Sequence, residues 1–230
     1  MTVTQDFIPK GRKNRPGFLN PINYITIHNT GNSSKGSNAR AHANYLKGDT
    51  AASLPVSWHY TVDDGAVYQH LPDNETAYHA GDGSGPGNKQ SIGIEICQNS
   101  DGNLLLATEN AARLCAILCT RHSISVKNIV QHNFWSGKNC PQELRANRPY
   151  SWNTFLSKIG DYIKEQQNPP PPEPPPVLSP EEITVENAFS VGILGDKAHW
   201  LGVIRGTIAA RPEYIKGLLD NAYKRVIEAR

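Results

Sequence analysis

The sequence predicts an α/β domain with a mixed central β-sheet flanked by helices, followed by a proline-rich linker and a small all-α module. Three observations predict this organisation. Strand-like and helix-like periodicities alternate up to about residue 165, prolines dominate residues 166–176, and the signals after residue 178 are helical. We therefore expect a first domain over residues 1–165, a linker over 166–178 and a helical module over 179–230.

Five segments are predicted as strands, because apolar and polar residues alternate in them or β-branched residues are concentrated there. They cover residues 24–28, 59–64, 66–71, 91–97 and 128–132. The dipeptide Asp64-Gly65 lies between the second and third and indicates a hairpin turn. Helices are predicted over residues 37–46, 108–122 and 151–166, the last two beginning at the N-caps Thr108 and Ser151.

The prolines of residues 166–176 lack the N–H donor that a helix or sheet needs, so they predict an extended spacer. Beyond them, a capping box at residues 179–182 predicts a first helix. A second is expected after Asp196, carrying Trp200, and a third near Pro212. A core of about 50 residues is marginal alone. The module is therefore interpreted as a binding module, an element that forms a homo-oligomer, or a structural tail.

Composition narrows the choice of partners and location. The formal charge of +2 is too small to favour nucleic acid, and no apolar run reaches the ~18 residues of a membrane span. Residues 1–17 are polar where a signal peptide is apolar, which predicts synthesis in the cytoplasm. A basic cluster is interpreted as a solvated segment, with contact to an anionic polymer as the alternative: Lys10, Arg12, Lys13, Arg15.

Titratable groups recur on one face of the predicted strands. Successive strand residues point to opposite sides, so the isoleucines of residues 24–28 share one face and His28 takes the other. The same alternation isolates Glu95 in residues 91–97, and it sets His59 opposite Trp58. If these strands share a sheet, His28, His59 and Glu95 lie on a single polar surface.

A second group lies in the loop of residues 132–141. His132 and Cys140 frame a short segment that contains Gly137 and Lys138. A histidine and a cysteine so placed are a moderately specific metal signal, and His28 would add a third nitrogen or sulfur ligand. Three protein ligands leave the fourth tetrahedral position of zinc to water, as in catalytic sites. The other cysteines are predicted as small buried apolar residues: Cys97, Cys115, Cys119.

Four motifs follow one another along the chain: IHNTGN (27–32), SWHYTVDDG (57–65), YHAGDG with SIGIEI (78–83 and 91–96), and H-x5-K-x-C-P (132–141). Over residues 14–165 the chain resembles the type 2 N-acetylmuramoyl-L-alanine amidases, which include phage lysozyme-type amidases and peptidoglycan recognition proteins. The resemblance implies a mixed sheet with a zinc site at the edge of a groove. It also implies cleavage of the amide between muramic acid and L-alanine, as in a phage or prophage endolysin that lyses cell walls. With such a substrate, the helical module is expected to bind a secondary wall polymer or to form a homo-oligomer, and release to the wall is expected through a holin-type lesion or lysis.

Carried over by position, the resemblance makes His28, His132 and Cys140 the zinc ligands. It makes Glu95 the general base and Lys138 the group that stabilises the oxyanion. Trp58 stands where phage lysozyme-type members have a catalytic tyrosine. Four residues are expected to contact peptidoglycan: His59, His79, Trp58, Asn29. The alternative is a non-catalytic peptidoglycan-binding module of the recognition-protein type.

Overall fold

The computed structural model describes residues 2–168, 185, 189–190, 197–205, 217–218 and 220–221. The chain divides into two compact units, Met1–Pro170 and Pro171–Arg230. The domain boundaries expected at residues 165 and 178 stay predictions. Within the described ranges, no helix combines the length and apolar character that crossing a membrane requires.

A six-stranded mixed β-sheet forms the centre of the first unit, in the order β1-β4-β3-β5-β2-β6. β3 and β4 are antiparallel, as the Asp64-Gly65 turn predicts, and the other neighbouring strands are parallel. The predicted fold class and all five predicted strands are confirmed. β1 was not predicted, because a two-residue strand has no periodicity. The strands are β1 (Thr4–Gln5), β2 (Tyr24–Asn29), β3 (Tyr60–Val62), β4 (Val67–Gln69), β5 (Ser91–Ile96) and β6 (Ile129–Gln131).

The described helices include the three predicted for the first unit, together with several short turns. Those of the first unit are α1 (Ala39–Lys47), α2 (Asp49–Ala52), α3 (Pro86–Lys89), α4 (Leu104–His122), α5 (Asn133–Ser136), α6 (Gln142–Arg145) and α7 (Trp152–Gln167), with a 3-10 turn at Val126–Asn128. The second unit contains α8 (Lys197–Ile204). α8 confirms the helix predicted after Asp196. The capping box at residues 179–182 and the start near Pro212 lie outside the described residues.

One of the two predicted helix starts is wrong. α4 begins at Leu104, and the side chain of Asn103 accepts a hydrogen bond from the backbone N–H of Leu106. Thr108 lies inside the helix, where its hydroxyl donates to the carbonyl of Leu104 at 2.7 Å. The N-cap Ser151 of α7 is confirmed, because its hydroxyl accepts from the N–H of Thr154.

The two faces of the sheet differ in character, as the alternation predicts. The isoleucines of β2 and β5 are fully buried in one core with residues of α4 and α7. Cys115 and Cys119 of α4 belong to this core, which confirms their apolar role. On the opposite face, the strand register pairs Glu95 with His28 on one side and with Thr61 on the other. The polar groups therefore meet near the carboxyl ends of three neighbouring strands.

Trp58 departs from the predicted alternation. Its indole N–H donates to the hydroxyl of Thr61 at 2.6 Å, so Trp58 lies on the polar side of the sheet rather than opposite His59 and Thr61. The prediction is wrong because β3 begins at Tyr60, and the period of two holds only within a strand.

The prediction that the basic N-terminal segment is solvated is also wrong in part, because Arg15 is buried. Its guanidinium donates to both carboxylate oxygens of Glu75, at 2.8 and 2.7 Å, and to the carbonyl of Ile8 at 2.5 Å. A basic run in the sequence does not reveal a partner 60 residues away. The pair fixes the N-terminal segment to the loop that follows β4.

We expect Arg15→Lys to lower the free energy of unfolding by about 2 kcal/mol, because lysine cannot reproduce the bidentate pair. The Arg15 hydrogen bond holds the pKa of Glu75 below its ordinary value. The pair therefore stabilises the fold above the ordinary glutamate pKa, and this contribution is lost as pH falls through the lowered pKa. Urea unfolding at neutral and acidic pH checks this, with the exposed Lys13→Ala as control. A loss of unfolding free energy in Arg15→Lys that is larger at acidic than at neutral pH would contradict this prediction.

Candidate metal centre and active site

Three predicted ligands converge on one point of the polar face. β2 carries His28 near its carboxyl end, His132 directly follows β6, and Cys140 ends the loop after α5. Nδ1 of His28 lies 3.0 Å from Nδ1 of His132 and 3.9 Å from Sγ of Cys140. The three ligand atoms lie within 4.8 Å of one another, and all three residues are buried.

The separations and the chemistry of these groups fit a zinc ion. Tetrahedral zinc with Zn–N of about 2.0–2.1 Å and Zn–S of about 2.3 Å separates two nitrogens by roughly 3.3 Å and nitrogen from sulfur by roughly 3.6 Å. The separations between His28 and its two neighbours are close to these values. Two imidazoles and one thiol are ligands that zinc prefers, and they leave a fourth position open.

Burial lowers the pKa values of the two histidines and raises that of the cysteine. It lowers the pKa of His28 well below its ordinary value, an effect that the charges of neighbouring histidines and of Lys138 reinforce. Burial is also the main cause that lowers the pKa of His132. It raises the pKa of Cys140 to about 11. The two imidazoles are therefore neutral and ready to bind, whereas the thiol must release its proton when a metal ion binds.

The backbone loop between His132 and Cys140 is held by Asn133. Its backbone N–H donates to the carbonyl of Cys140 at 3.0 Å, and its side-chain amide donates to the carbonyls of Gly137 and Lys138, each at 2.9 Å. Gly137 ends α5 with φ of +74°, a conformation that glycine adopts without strain. Asn133 was not predicted as a site residue, because its role depends on backbone contacts within the folded loop.

Glu95 lies beside the three ligands. Its Oε1 is 3.9 Å from Nδ1 of His28. Its Oε2 is buried and has no hydrogen-bond partner among the residues that the structure describes. Burial raises the pKa of Glu95 to about 8, and the nearby charge of Lys138 opposes this rise. The carboxyl group can therefore both accept and release a proton near neutral pH.

A cavity of about 710 Å³ opens above these residues. Lys138 is exposed and lines it, as do Trp58 and His79. The loop that carries His79 is fixed by Asn88, whose side-chain oxygen accepts from the backbone N–H groups of His79 and Ala80, each at 2.8 Å. Asn88 was likewise not predicted as a site residue. The cavity is large enough for part of a polymer chain and places the carboxyl and ammonium groups on its wall.

A family model described as N-acetylmuramoyl-L-alanine amidase matches residues 18–143. The chain belongs to this amidase family. The matched region includes all three candidate ligands, Glu95 and Lys138.

The chain is similar to amidases from Bacillus subtilis strain 168. It is 50% identical to the N-acetylmuramoyl-L-alanine amidase XlyA over 160 residues, which are 70% of this chain and 52% of XlyA. It is 46% identical to the amidase CwlH, over 69% of this chain and 61% of CwlH. The chain thus spans about half to three-fifths of these relatives. Over 70% of its length it matches all of the solved catalytic domain of XlyA, at 50% identity and a TM-score of 0.65.

Two of the residues predicted to contact substrate lie away from the cavity. His59 is fully buried, with Nε2 at 2.8 Å from the carbonyl of Glu75 and Nδ1 accepting from the N–H of Gly93 at 3.0 Å. Asn29 accepts from the N–H of Glu143 at 3.0 Å through its side-chain oxygen. Both ring nitrogens of His59 are thus used within the fold, and Asn29 ties β2 to α6. The geometry gives these two residues structural roles and does not support substrate contact.

Proposed function

We propose that the chain is a zinc-dependent N-acetylmuramoyl-L-alanine amidase, which cleaves the amide between muramic acid and L-alanine in peptidoglycan and so lyses cell walls. One observation carries the proposal: two histidines and a cysteine converge beside the largely buried carboxyl group of Glu95, whose Oε2 has no hydrogen-bond partner among the described residues, at the wall of an open cavity. Membership of the amidase family supports the choice of bond.

The ion would be held by His28, His132 and Cys140. When bound, zinc supplies a Lewis acid that lowers the pKa of a water molecule and polarises a carbonyl group. Glu95 accepts the proton of the attacking water and then donates it to the nitrogen of the departing L-alanine. A buried carboxyl group with a raised pKa suits both transfers. Lys138, on the cavity wall, offsets the negative charge that develops on the carbonyl oxygen.

We expect Lys138→Met to lower kcat by about 10- to 100-fold, because the side chain is exposed and water replaces part of its effect. KM should change little, since the charge that it stabilises develops during the reaction. Steady-state hydrolysis of a soluble muramyl peptide checks this. Lys127→Met, also exposed but outside the cavity lining, is the control. A kcat within twofold of the unaltered chain would remove Lys138 from the mechanism.

Digestion of purified walls tests the proposed reaction. New L-alanine amino termini should appear without new reducing sugars or internal peptide ends. A chelator should stop their release, and added zinc should restore it. New peptide ends or reducing sugars instead would contradict the proposal. Binding to walls with no cleavage would favour the alternative, a recognition module. The complete ligand set of His28, His132 and Cys140 speaks for hydrolysis.

The roles expected for the C-terminal module, binding of a secondary wall polymer or self-association, stay predictions, as does release from the cytoplasm by a holin-type lesion or lysis. Sedimentation of the full chain at increasing concentration checks self-association: a constant monomer mass would exclude it.

A further inference from the structure

The two ring nitrogens of His28 face different partners. Nδ1 faces His132 and Cys140, whereas Nε2 lies 3.0 Å from Nδ1 of His79. A neutral imidazole carries its proton on one nitrogen, and a metal ion binds the other. Binding through Nδ1 therefore requires that the proton of His28 stay on Nε2. A group that holds this proton on Nε2 therefore prepares His28 to bind a metal ion through Nδ1.

A chain of buried hydrogen bonds continues from His79 into the fold. Nε2 of His79 lies 3.4 Å from the hydroxyl of Ser91, which donates to the carbonyl of Gly87 at 2.6 Å. The hydroxyls of Ser91 and Thr26 are 2.8 Å apart. The indole N–H of Trp135 donates to the hydroxyl of Thr26 at 2.9 Å. Thr26 and Ser91 are fully buried, so water does not compete for these bonds.

The two ends of this chain of hydrogen bonds determine which group donates and which accepts in every bond between them. A carbonyl only accepts and an indole N–H only donates. Ser91 gives its single proton to Gly87 and must accept from Thr26 and from His79. His79 therefore carries its proton on Nε2, and its bare Nδ1 accepts from Nε2–H of His28. Only this assignment satisfies all the bonds from His28 to Trp135 together, and it leaves Nδ1 of His28 without a proton.

Two glycines make room for the rings of the chain. A Cβ atom on Gly93 would lie 2.7 Å from Cγ of His79, and one on Gly87 would lie 2.7 Å from Cγ of Trp135. Both separations are shorter than carbon atoms tolerate. The rings thus occupy the space that side chains at residues 87 and 93 would fill, so any other residue at either position would displace a ring of the hydrogen-bond chain.

We propose that His79, Ser91, Thr26 and Trp135 are positioning residues that hold His28 as its Nε2–H tautomer, with Nδ1 free for zinc. The inference rests on the proposed zinc site. Trp135 lies between His132 and Cys140 in the sequence, and its hydrogen bond reaches Thr26 of β2. The same chain of hydrogen bonds therefore anchors the loop of these two ligands to β2. Preparation of the site in this way lowers the cost of ordering the ligands when metal binds.

The tautomers are measured directly by long-range ¹H–¹⁵N correlation spectra of the metal-free full chain. His28 and His79 should both be Nε2–H tautomers. Ser91→Ala removes the shared acceptor and should leave a mixture of tautomers at His79. A single Nδ1–H tautomer at His28 in the unaltered chain would overturn the inference.

Zinc affinity gives an independent test, measured by competition with a chromophoric chelator. His79→Phe keeps a ring but removes the acceptor, and it should weaken affinity about 10- to 100-fold. His79→Gln offers an amide oxygen and should recover part of this loss. Trp135→Phe should weaken affinity several-fold, and its effect should not be additive with that of His79→Phe, because both act through Ser91.

The control is Phe134→Leu, which alters the exposed neighbour of Trp135 and should leave zinc affinity unchanged. Circular dichroism identifies variants that remain folded. Folded His79→Phe and Trp135→Phe chains with affinities within twofold of the unaltered chain would overturn the inference while the zinc site stands. An unaltered chain that binds no zinc would instead overturn the proposed function.

Discussion

Cys140→Ser should abolish zinc binding at equimolar metal and lower kcat by at least about a thousandfold. A serine hydroxyl does not ionise near neutral pH and cannot replace the thiolate, so two imidazoles alone would have to hold the ion. Without zinc, the attacking water would keep a pKa near its bulk value of about 15.7 instead of about 7. Zinc content by mass spectrometry and hydrolysis of a soluble muramyl peptide measure the two effects.

Cys97→Ser is a closely matched control. Cys97 and Cys140 are each 2% exposed, and both are free thiols. Cys97 lies outside the ligand cluster, with Sγ 4.0 Å from Nδ1 of His42. Cys97→Ser should therefore lose stability but keep stoichiometric zinc and most of kcat. If the two variants lost zinc equally, the effect would come from the fold, and Cys140 would lose its assignment as a ligand.

Glu95→Gln should keep one zinc per chain and lower kcat by about 10²- to 10⁴-fold. Glutamine has the size and shape of glutamate but cannot accept the proton of water. Burial raises the pKa of Glu95 to about 8, and a bound cation beside it would favour the ionised form that acts as base. Single-turnover kinetics with metal analysis separate loss of chemistry from loss of the ion.

Glu109→Gln controls for the removal of a partly buried carboxylate. Its side chain is 17% exposed, against 14% for Glu95, and it bonds to Lys158 and Tyr162 rather than facing the cavity. It should cost stability and leave kcat within about threefold. Near-normal turnover in the Glu95→Gln chain would assign the base to another group.

Local periodicity was enough to predict the sheet and its polar face. The alternation in β2 and β5 correctly separates the isoleucines from His28 and Glu95, because the side-chain period of two is a property of each strand alone. It could not give the order of the strands, which depends on how distant segments pair. It also failed for Trp58, which precedes β3, and for β1, which is too short.

The sequence did not reveal how deeply a side chain is buried or which distant residue it contacts. His59 shares the polar face with His28, yet the carbonyl of Glu75 covers it, so a residue on the right face need not reach the cavity. The Arg15–Glu75 pair likewise joins residues that nothing local relates. By contrast, His132 and Cys140 could be paired in advance, because one short loop carries both.

X-ray absorption at the zinc edge of the purified full chain tests the central claim most directly. We expect one zinc per chain, with two nitrogen ligands at about 2.0–2.1 Å, one sulfur at about 2.3 Å and one further light ligand. At equimolar metal the protein-bound zinc signal should be lost in Cys140→Ser, whereas the zinc ion and its sulfur neighbour should persist in Cys97→Ser. A chain without zinc, or a zinc ion without a sulfur neighbour, would contradict the assignment of this centre.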